Sequence, residues 1–342
     1  MKSAASDWRN NFREYAQMTK YSFVIPVKEI NDYIRESIPE ILALGRDDFE
    51  IIVYPDVISE DAWPKTRQIA SGSVGPAQKR NFAIRDAKGE ILIFTDDDAY
   101  PKNNFLEILE KDFEDKNIVA VGGPAMTPVE SKFWQRVSGA TFLSSLSGGF
   151  PERYRPKGKK KFVADWPSVN LSIRKKAFED LGGFGGDYWP GEDTKLCFDL
   201  LTKKNARILY DPELIVCHHR REGLVKHVKQ ISAYGLHRGF FAKKFSETSF
   251  SWRYFMPSLF VLFIIFGGIL AYYSKTFLEL YILGWIIYFV ALLNAFYDIY
   301  RHEKNILVTL TASYYIFLTH IFYGIRFLQG LLFTRELKSK LR

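Results

Sequence analysis

Residues 91–101 read ILIFTDDDAYP: four apolar positions run into three consecutive carboxylates, Asp96, Asp97 and Asp98. Like charges this close repel, and burial raises the cost. Two arrangements relieve it. A divalent cation, Mg2+ or Mn2+, takes oxygen ligands, commonly one or two carboxylates plus phosphate oxygens. Asp96 and Asp98, flanking Asp97, suit such an ion bridging a diphosphate. Alternatively, the triplet is an Asx-rich cap ahead of Pro101-Lys102-Asn103. A second acidic pair, Glu192-Asp193, follows the tract GGFGGDYWPG, whose glycines permit tight turns and close approach to a ligand. Glu192 and Asp193 also suit the first turn of a helix, where the macrodipole favours acids. His218-His219 closes the run RILYDPELIVCHH. There an imidazole either approaches a diphosphate or metal, or is an ordinary surface or core histidine. RYRPKGKKKF (153–162) is either a solvated loop or a site for anionic headgroups and lipid phosphates.

These groups need a scaffold, and the first part of the chain predicts one. YSFVIPV (21–27), FEIIVYPD (49–56), EILIF (90–94) and NIVAVGGP (117–124) are short apolar runs. DYIRESIPEILAL (32–44) and AQKRNFAIRDA (77–87), which lie between them, have helical spacing. Strands alternating with helices predict an α/β domain on a parallel, doubly wound sheet. Such sheets bind ligands beyond the carboxyl ends of their strands. Three of those ends are polar, at Lys28-Glu29, Asp56 and the aspartate triplet, and they converge where a nucleotide is expected.

The remainder differs in composition. The chain has 342 residues, 47% hydrophobic and 16% aromatic, with a net charge of +8. Two cysteines, Cys197 and Cys217, exclude a disulfide framework and fit a reducing compartment. MKSAASDWRNNFREYAQMTK lacks the apolar core of a signal peptide and reads as a polar helix or arm. Tyr254–Tyr273, Phe277–Tyr297 and Ile306–Phe333 each reach the roughly 20 residues of a membrane-crossing helix. Three crossings would separate the termini, yet the tail RELKSKLR and the chain before the first span are both basic. The positive-inside preference pulls both toward the cytoplasm. Either the third segment does not fully cross, or the large N-terminal domain sets the orientation. LVKHVKQISAYGLHRGFFAKKF (224–245) is basic and amphipathic, and it reads as a helix in the headgroup layer or as a plain linker helix. The division expected is an arm (1–20), a catalytic domain (21–222), an interfacial stretch (223–250) and a membrane region (251–342). Basic runs that accompany membrane segments argue against a nucleic-acid partner.

Taken in order, FVIPVKE, EIIVYPD, GPAQKRNFAI, FTDDDAYP, VNLSIRKKAFEDLGGF and GEDTKLCFDL resemble glycosyltransferase family 2, which has the GT-A fold, over about residues 20–220. The resemblance implies that Glu29, Asp56 and the backbone of Pro26 contact the nucleoside. It puts Arg80 near the base or diphosphate and Asp97 on the donor side. Asp96 would face the ribose or metal, and Asp98 the metal. Asp193 would be the catalytic base, with Glu192 helping to position the acceptor. Pro55 stands where the family often has an aspartate. On the acceptor side, Trp166 and Trp189 either stack on a sugar or hold a loop, Asn170 would hydrogen-bond a sugar, and the family often has a histidine at His218. A metal that neutralises the departing diphosphate removes the need for an acid, whereas a hydroxyl nucleophile needs a base. In-line attack inverts the anomeric centre.

The membrane segments imply a lipid-borne acceptor. It is either a polyprenyl-phosphate, which needs no base, or a polyprenyl-diphosphate-linked saccharide, which does and which Glu192-Asp193 favours. The chain lacks the Gln-x-x-Arg-Trp motif of processive synthases, so addition of a single sugar is expected. Tyr234-Gly235-Leu236-His237-Arg238 resembles a tract in enzymes of bacterial exopolysaccharide (succinoglycan-type) assembly. That implies a multi-pass inner-membrane protein with a cytoplasmic catalytic domain, and an oligomer is compatible with it. A non-catalytic membrane scaffold would predict erosion of the Asp cluster or Asp193. A nucleotidyltransferase would want glycines after the first strand, which VIPVKEIN lacks.

Overall fold

The computed structural model describes residues 19–185, 188 and 190–337. The polar arm before residue 19, the tail beyond 337 and Trp189 lie outside the described residues. The strands are β1 (Tyr21–Pro26), β2 (Phe49–Tyr54), β3 (Thr66–Gln68), β4 (Ile91–Phe94), β5 (Ala99–Pro101), β6 (Ile118–Gly122), β7 (Ala125–Met126), β8 (Lys161–Val163), β9 (Leu171–Arg174), β10 (Arg207–Tyr210) and β11 (Val216–His218). The helices are α1 (Asp32–Leu42), α2 (Pro76–Asn81), α3 (Phe105–Asp112), α4 (Phe133–Ala140), α5 (Ser145–Gly148), α6 (Lys175–Leu181), α7 (Glu192–Lys204), α8 (Leu224–Lys244), α9 (Trp252–Leu262), α10 (Gly268–Tyr273), α11 (Lys275–Glu303) and α12 (Ile306–Leu328). Two compact units result. One joins the chain up to Pro124 with Lys159–Cys217; the other joins Ala125–Gly158 with His218 onward.

The first unit is built on an eight-stranded sheet of order β3-β2-β1-β4-β9-β6-β10-β8. Strands β1, β2 and β4, placed from their apolar runs, pair in parallel, with Tyr21 opposite Phe49 and Ile91. The expectation of an all-parallel sheet is corrected at β9, which runs antiparallel between β4 and β6. Edge strand β8 is antiparallel to β10 as well. An apolar run has no direction, so period and burial give no sign of this reversal. Helix α1 starts where Asn31 Oδ1 accepts from Ile34 N at 3.0 Å, and it buries Ile34, Ile38 and Ile41 at helical spacing. Phe82 breaks the helical stretch 77–87 into α2 and a four-residue turn.

Under the tip of β4, Phe94, Phe178 and Phe184 form a triad with ring centroids 5.0–5.4 Å apart. All three are buried, each worth about 1.5–3 kcal/mol of hydrophobic stabilisation. This packing fixes the base from which the aspartate triplet projects.

The second unit is helical. Trp252–Tyr273, Lys275–Glu303 and Ile306–Phe333 are long and apolar enough to cross a membrane. The first of them passes through a π-helical turn, Phe263–Gly267, between α9 and α10. Its core sets Val137 and Ala140 of α4 against Ala295 and Ile299 of α11 and Val308, Ala312, Tyr315 and Ile316 of α12.

Candidate active site

Strand tips and two helix ends assemble the site. The tips of β1 and β2 are tied by Val27 N to Tyr54 O at 3.2 Å and Asp56 N to Lys28 O at 2.9 Å. Pro26 is the buried last residue of β1, and Glu29 is exposed just beyond it. Asp56 is half-buried and is met by the ammonium of Lys79, which also donates to Val27 O at 2.6 Å. Lys79 is almost fully buried on α2, and sequence reasoning missed it. Its one signal is its place beside Arg80, because nothing in a lysine's neighbours along the chain announces burial.

Arg80 is the hub. Its guanidinium donates to Asp96 Oδ1 at 2.6 Å and to Glu192 Oε1 at 3.3 Å, and it lies 5.6 Å from the Phe184 ring centroid. The neighbouring Asn81 clamps the Gly-rich loop. Its Nδ2 donates to Phe184 O at 2.9 Å, and its Oδ1 accepts from Phe184 N at 2.7 Å. A Cβ on Gly183, whose φ is +84°, would stand 2.3 Å from Asn81 Oδ1, so both the backbone and the contact require glycine. Thus α2 holds the strand tip with one residue and the loop leading to α7 with the next.

The three aspartates divide. Asp97 Oδ2 accepts from Asn31 Nδ2 at 2.7 Å, so the residue that caps α1 also anchors the middle carboxylate. Burial, and then the neighbouring carboxylates Asp98 and Asp96, push Asp97 up to about 6. Asp96 and Asp98 remain half-buried. Two such carboxylates suit a divalent cation. Mg2+ and Mn2+ both take carboxylate ligands.

Helix α7 supplies the facing acids. Glu192 and Asp193 occupy its first turn, where the orphan N–H groups and the macrodipole favour them. Glu192 is enclosed. Burial drives its carboxyl up to about 7, with Asp193 adding to the shift and Arg80 opposing it. Asp193 is half-buried, and its carboxylate accepts from Ser168 N at 3.3 Å and Thr194 N at 2.8 Å. Ser168 belongs to the stretch ADWPSVN, so that stretch orients the acid on α7.

Two acceptor-side expectations are corrected. Trp166 is 2% exposed, donates from Nε1 to Gly123 O at 3.0 Å, and packs on Tyr210 with centroids 4.9 Å apart. An enclosed indole offers no face to a sugar; it holds the loop. Asn170 is likewise buried, and its Nδ2 is committed to Leu214 O at 2.7 Å and Pro124 O at 3.3 Å. It pins two backbone segments.

A mixed sheet of this order, with acids at the tip of β4 and at the start of α7, is a GT-A-like α/β fold. Residues 22–182 match the family model described as Glycosyl transferase family 2, so the chain carries a domain of that family. It is similar to a pre-mycofactocin glycosyltransferase of Mycobacterium tuberculosis, 31% identical over 164 residues. That match covers 48% of this chain and 34% of the relative, so the chain spans about a third of that protein. A dolichyl N-acetyl-α-D-glucosaminyl phosphate 3-β-D-2,3-diacetamido-2,3-dideoxy-β-D-glucuronosyltransferase of Methanococcus voltae is 22% identical over 277 residues, covering 75% of this chain and 84% of the relative. Among solved structures, a mannosyltransferase of Pyrobaculum calidifontis in complex with GDP-Man and Mn2+ superposes with a TM-score of 0.61 at 16% identity, covering 96% of both chains. That likeness is one of fold.

Proposed function

We propose that the chain is an inverting, metal-dependent glycosyltransferase. It moves one sugar from a nucleotide-diphosphate sugar to a hydroxyl of a lipid-linked, polyprenyl-diphosphate-borne saccharide during cell-surface glycan assembly. The observation that carries this is the Arg80 bridge, which sets Asp96 and Glu192 on one guanidinium. The tip of β4 and the acid pair of α7 are therefore drawn to one side chain.

In this reading Glu29, Asp56 and the Pro26 backbone receive the nucleoside, with Lys79 holding Asp56 in place. Asp96 and Asp98 would hold Mg2+ or Mn2+, which would compensate the charge that develops on the leaving diphosphate. Asp97 anchors the triplet through Asn31. Asp193 takes the acceptor proton at its carboxylate, because its two backbone donors fix its aim while leaving it partly open. Glu192, enclosed and paired, positions Arg80 and the helix start. The Methanococcus relative is named for a dolichyl-phosphate-linked sugar, which supports an acceptor hydroxyl on a lipid-linked saccharide. The apolar helices agree with that acceptor and with membrane association.

The test is a screen of radiolabelled nucleotide sugars against membrane lipid extracts, using the purified chain with and without chelator. Asp193→Asn is expected to lower transfer about 10²–10⁴-fold while donor binding persists. Turnover by that variant at the parent rate refutes the assignment of the base.

A further inference from the structure

The second unit contains three apolar helices, and their packing sets them apart from one another. Within the apolar windows, the share of residues buried by protein is 22% for Trp252–Tyr273, 6% for Lys275–Glu303 and 44% for Ile306–Phe333. The first two lie antiparallel. Phe260 stacks on Tyr288 at 4.2 Å, and Phe263 meets Tyr281 at 5.0 Å. They form a hairpin whose tip is Ser274 and whose base is Trp252 on one arm and Glu303 on the other. An arm of 22 residues is about 33 Å long, against about 30 Å of hydrocarbon in a bilayer. Outward-facing Ile265, Phe266, Ile287 and Leu293 are all at least half exposed. Aromatic rings mark both ends, with Tyr272 and Tyr273 exposed at the tip and Trp252 and Tyr297 exposed toward the base, as in interfacial belts. The base is charged. Arg136 pairs with Glu303 at 2.8 Å, and Arg155 with Asp298 at 2.8 Å.

Helix α12 does not continue this bundle. Its middle, Phe317–His320, meets the hairpin at Phe260 and Tyr288. Toward its C-terminus it descends the first arm, where Gly324 O accepts from Ser258 Oγ at 3.0 Å and Phe327 meets Phe255 at 4.8 Å. Toward its N-terminus it descends the second arm, where Ala312 and Val308 pack with Ala295 and Ile299. A helix parallel to the arms would approach the base with one end and the tip with the other. Both halves of α12 approach the base.

Helices that carry charged residues cover α12. Along its C-terminal half runs α8, backbone against backbone. A Cβ on Gly235 would stand 2.6 Å from Tyr323 O, one on Gly239 2.1 Å from Phe327 O, and one on Gly330 2.0 Å from Leu236 O. Helix α8 carries Lys226, Lys229, Arg238, Lys243 and Lys244. Lys243 caps the end of the apolar segment, donating to Thr334 O at 2.6 Å and Leu331 O at 2.9 Å. Five cations in 21 residues hold a helix at the headgroups, and α12 is fixed beside it. On the other side, His320 Nε2 lies 2.8 Å from Leu146 O of α5, and α4 covers the N-terminal half.

We infer that the lipid bilayer is crossed twice, by the α9/α10–α11 hairpin alone, and that α12 lies with α8 along the interface at the hairpin's base. The chain beyond Phe333 then shares a side with the chain before Trp252. That resolves the opposing charge signals, because both basic flanks face one compartment. This inference rests on the membrane reading of the apolar helices and is independent of glycosyl transfer.

The experiment uses the full chain in its native membrane with a membrane-impermeant maleimide, and labelling is read peptide by peptide in intact cells and after lysis. Three variants each carry one new cysteine: Ser274→Cys, Lys304→Cys, and a cysteine appended after Arg342. The expected result is that positions 304 and the C-terminus share one accessibility class, with 274 in the opposite class. A C-terminus grouped with 274 means three crossings and overturns the inference. A tip grouped with 304 means a hairpin that does not traverse, and it overturns the inference too. Loss of transferase activity in any variant leaves this readout unaffected.

Discussion

Removing Arg80 is the sharpest perturbation the site offers. Its side chain is 3% exposed and compensates two carboxylates of unequal exposure, Asp96 at 36% and Glu192 at 8%. In Arg80→Met the Asp96 carboxylate can rehydrate, whereas Glu192 is stranded. An uncompensated buried charge costs about 3–5 kcal/mol. At roughly 2–4 °C per kcal/mol for a unit of this size, the melting temperature should fall by about 6–20 °C. The loss should depend on pH. Glu192 already sits near 7 because of burial and Asp193, and Arg80 is what holds it down. Without Arg80 its native pKa rises further above the unfolded value near 4.5. The variant's native state then binds more protons than the unfolded chain between those values, so its stability falls as pH rises through that window. The gap to the parent should widen from pH 6 to pH 8. Arg80→Met combined with Glu192→Gln removes the stranded charge and should recover most of the loss. Thermal unfolding of the detergent-purified chain across pH reads all of this. A fall of under about 2 °C for Arg80→Met, or a double variant no more stable than the single one, refutes the reasoning.

Two further outcomes follow from neighbouring groups. Asp98→Ala should weaken Mn2+ binding measured by calorimetry at least about tenfold, since a site with few carboxylates has none to spare, while the fold melts as before. Away from the site, Asp112 is buried against Asp211, both reached by Lys160, and desolvation pushes Asp112 up to about 6. A carboxyl raised in the folded state makes stability fall as pH rises through about 4 to 6, so Asp112→Asn should flatten that part of a melting-temperature–pH profile.

Much of the candidate site's layout was legible because short runs have fixed structural consequences. An apolar run ending in acids is a strand tip, and the acids of GEDTKL sit in a helix's first turn as the dipole argument requires. The division of labour within the triplet was not legible. Asp97 differs from its neighbours only by facing Asn31, a residue 66 positions away. Trp166 and Asn170 could not be sorted into ligand contacts or packing, because burial depends on Gly123, Tyr210 and Leu214, which reach them only in the folded state. The reversed direction of β9 was hidden for the reason given above. So was the allegiance of Ala125–Gly158, whose partners lie about 150 positions downstream. Lys79 and Asn81 were overshadowed by the arginine between them, although each makes contacts as specific.

The adjacent pair Arg80-Asn81 has a mechanical consequence. One residue grips the acid-bearing strand end and the first acid of α7, and the next grips the turn just upstream of that helix. A single helical turn thus acts as a bracket across 112 positions of chain, tying the tip of β4 to the start of α7. If the domain breathes, those two ends must travel together, and the motion has to be taken up outside the bracket.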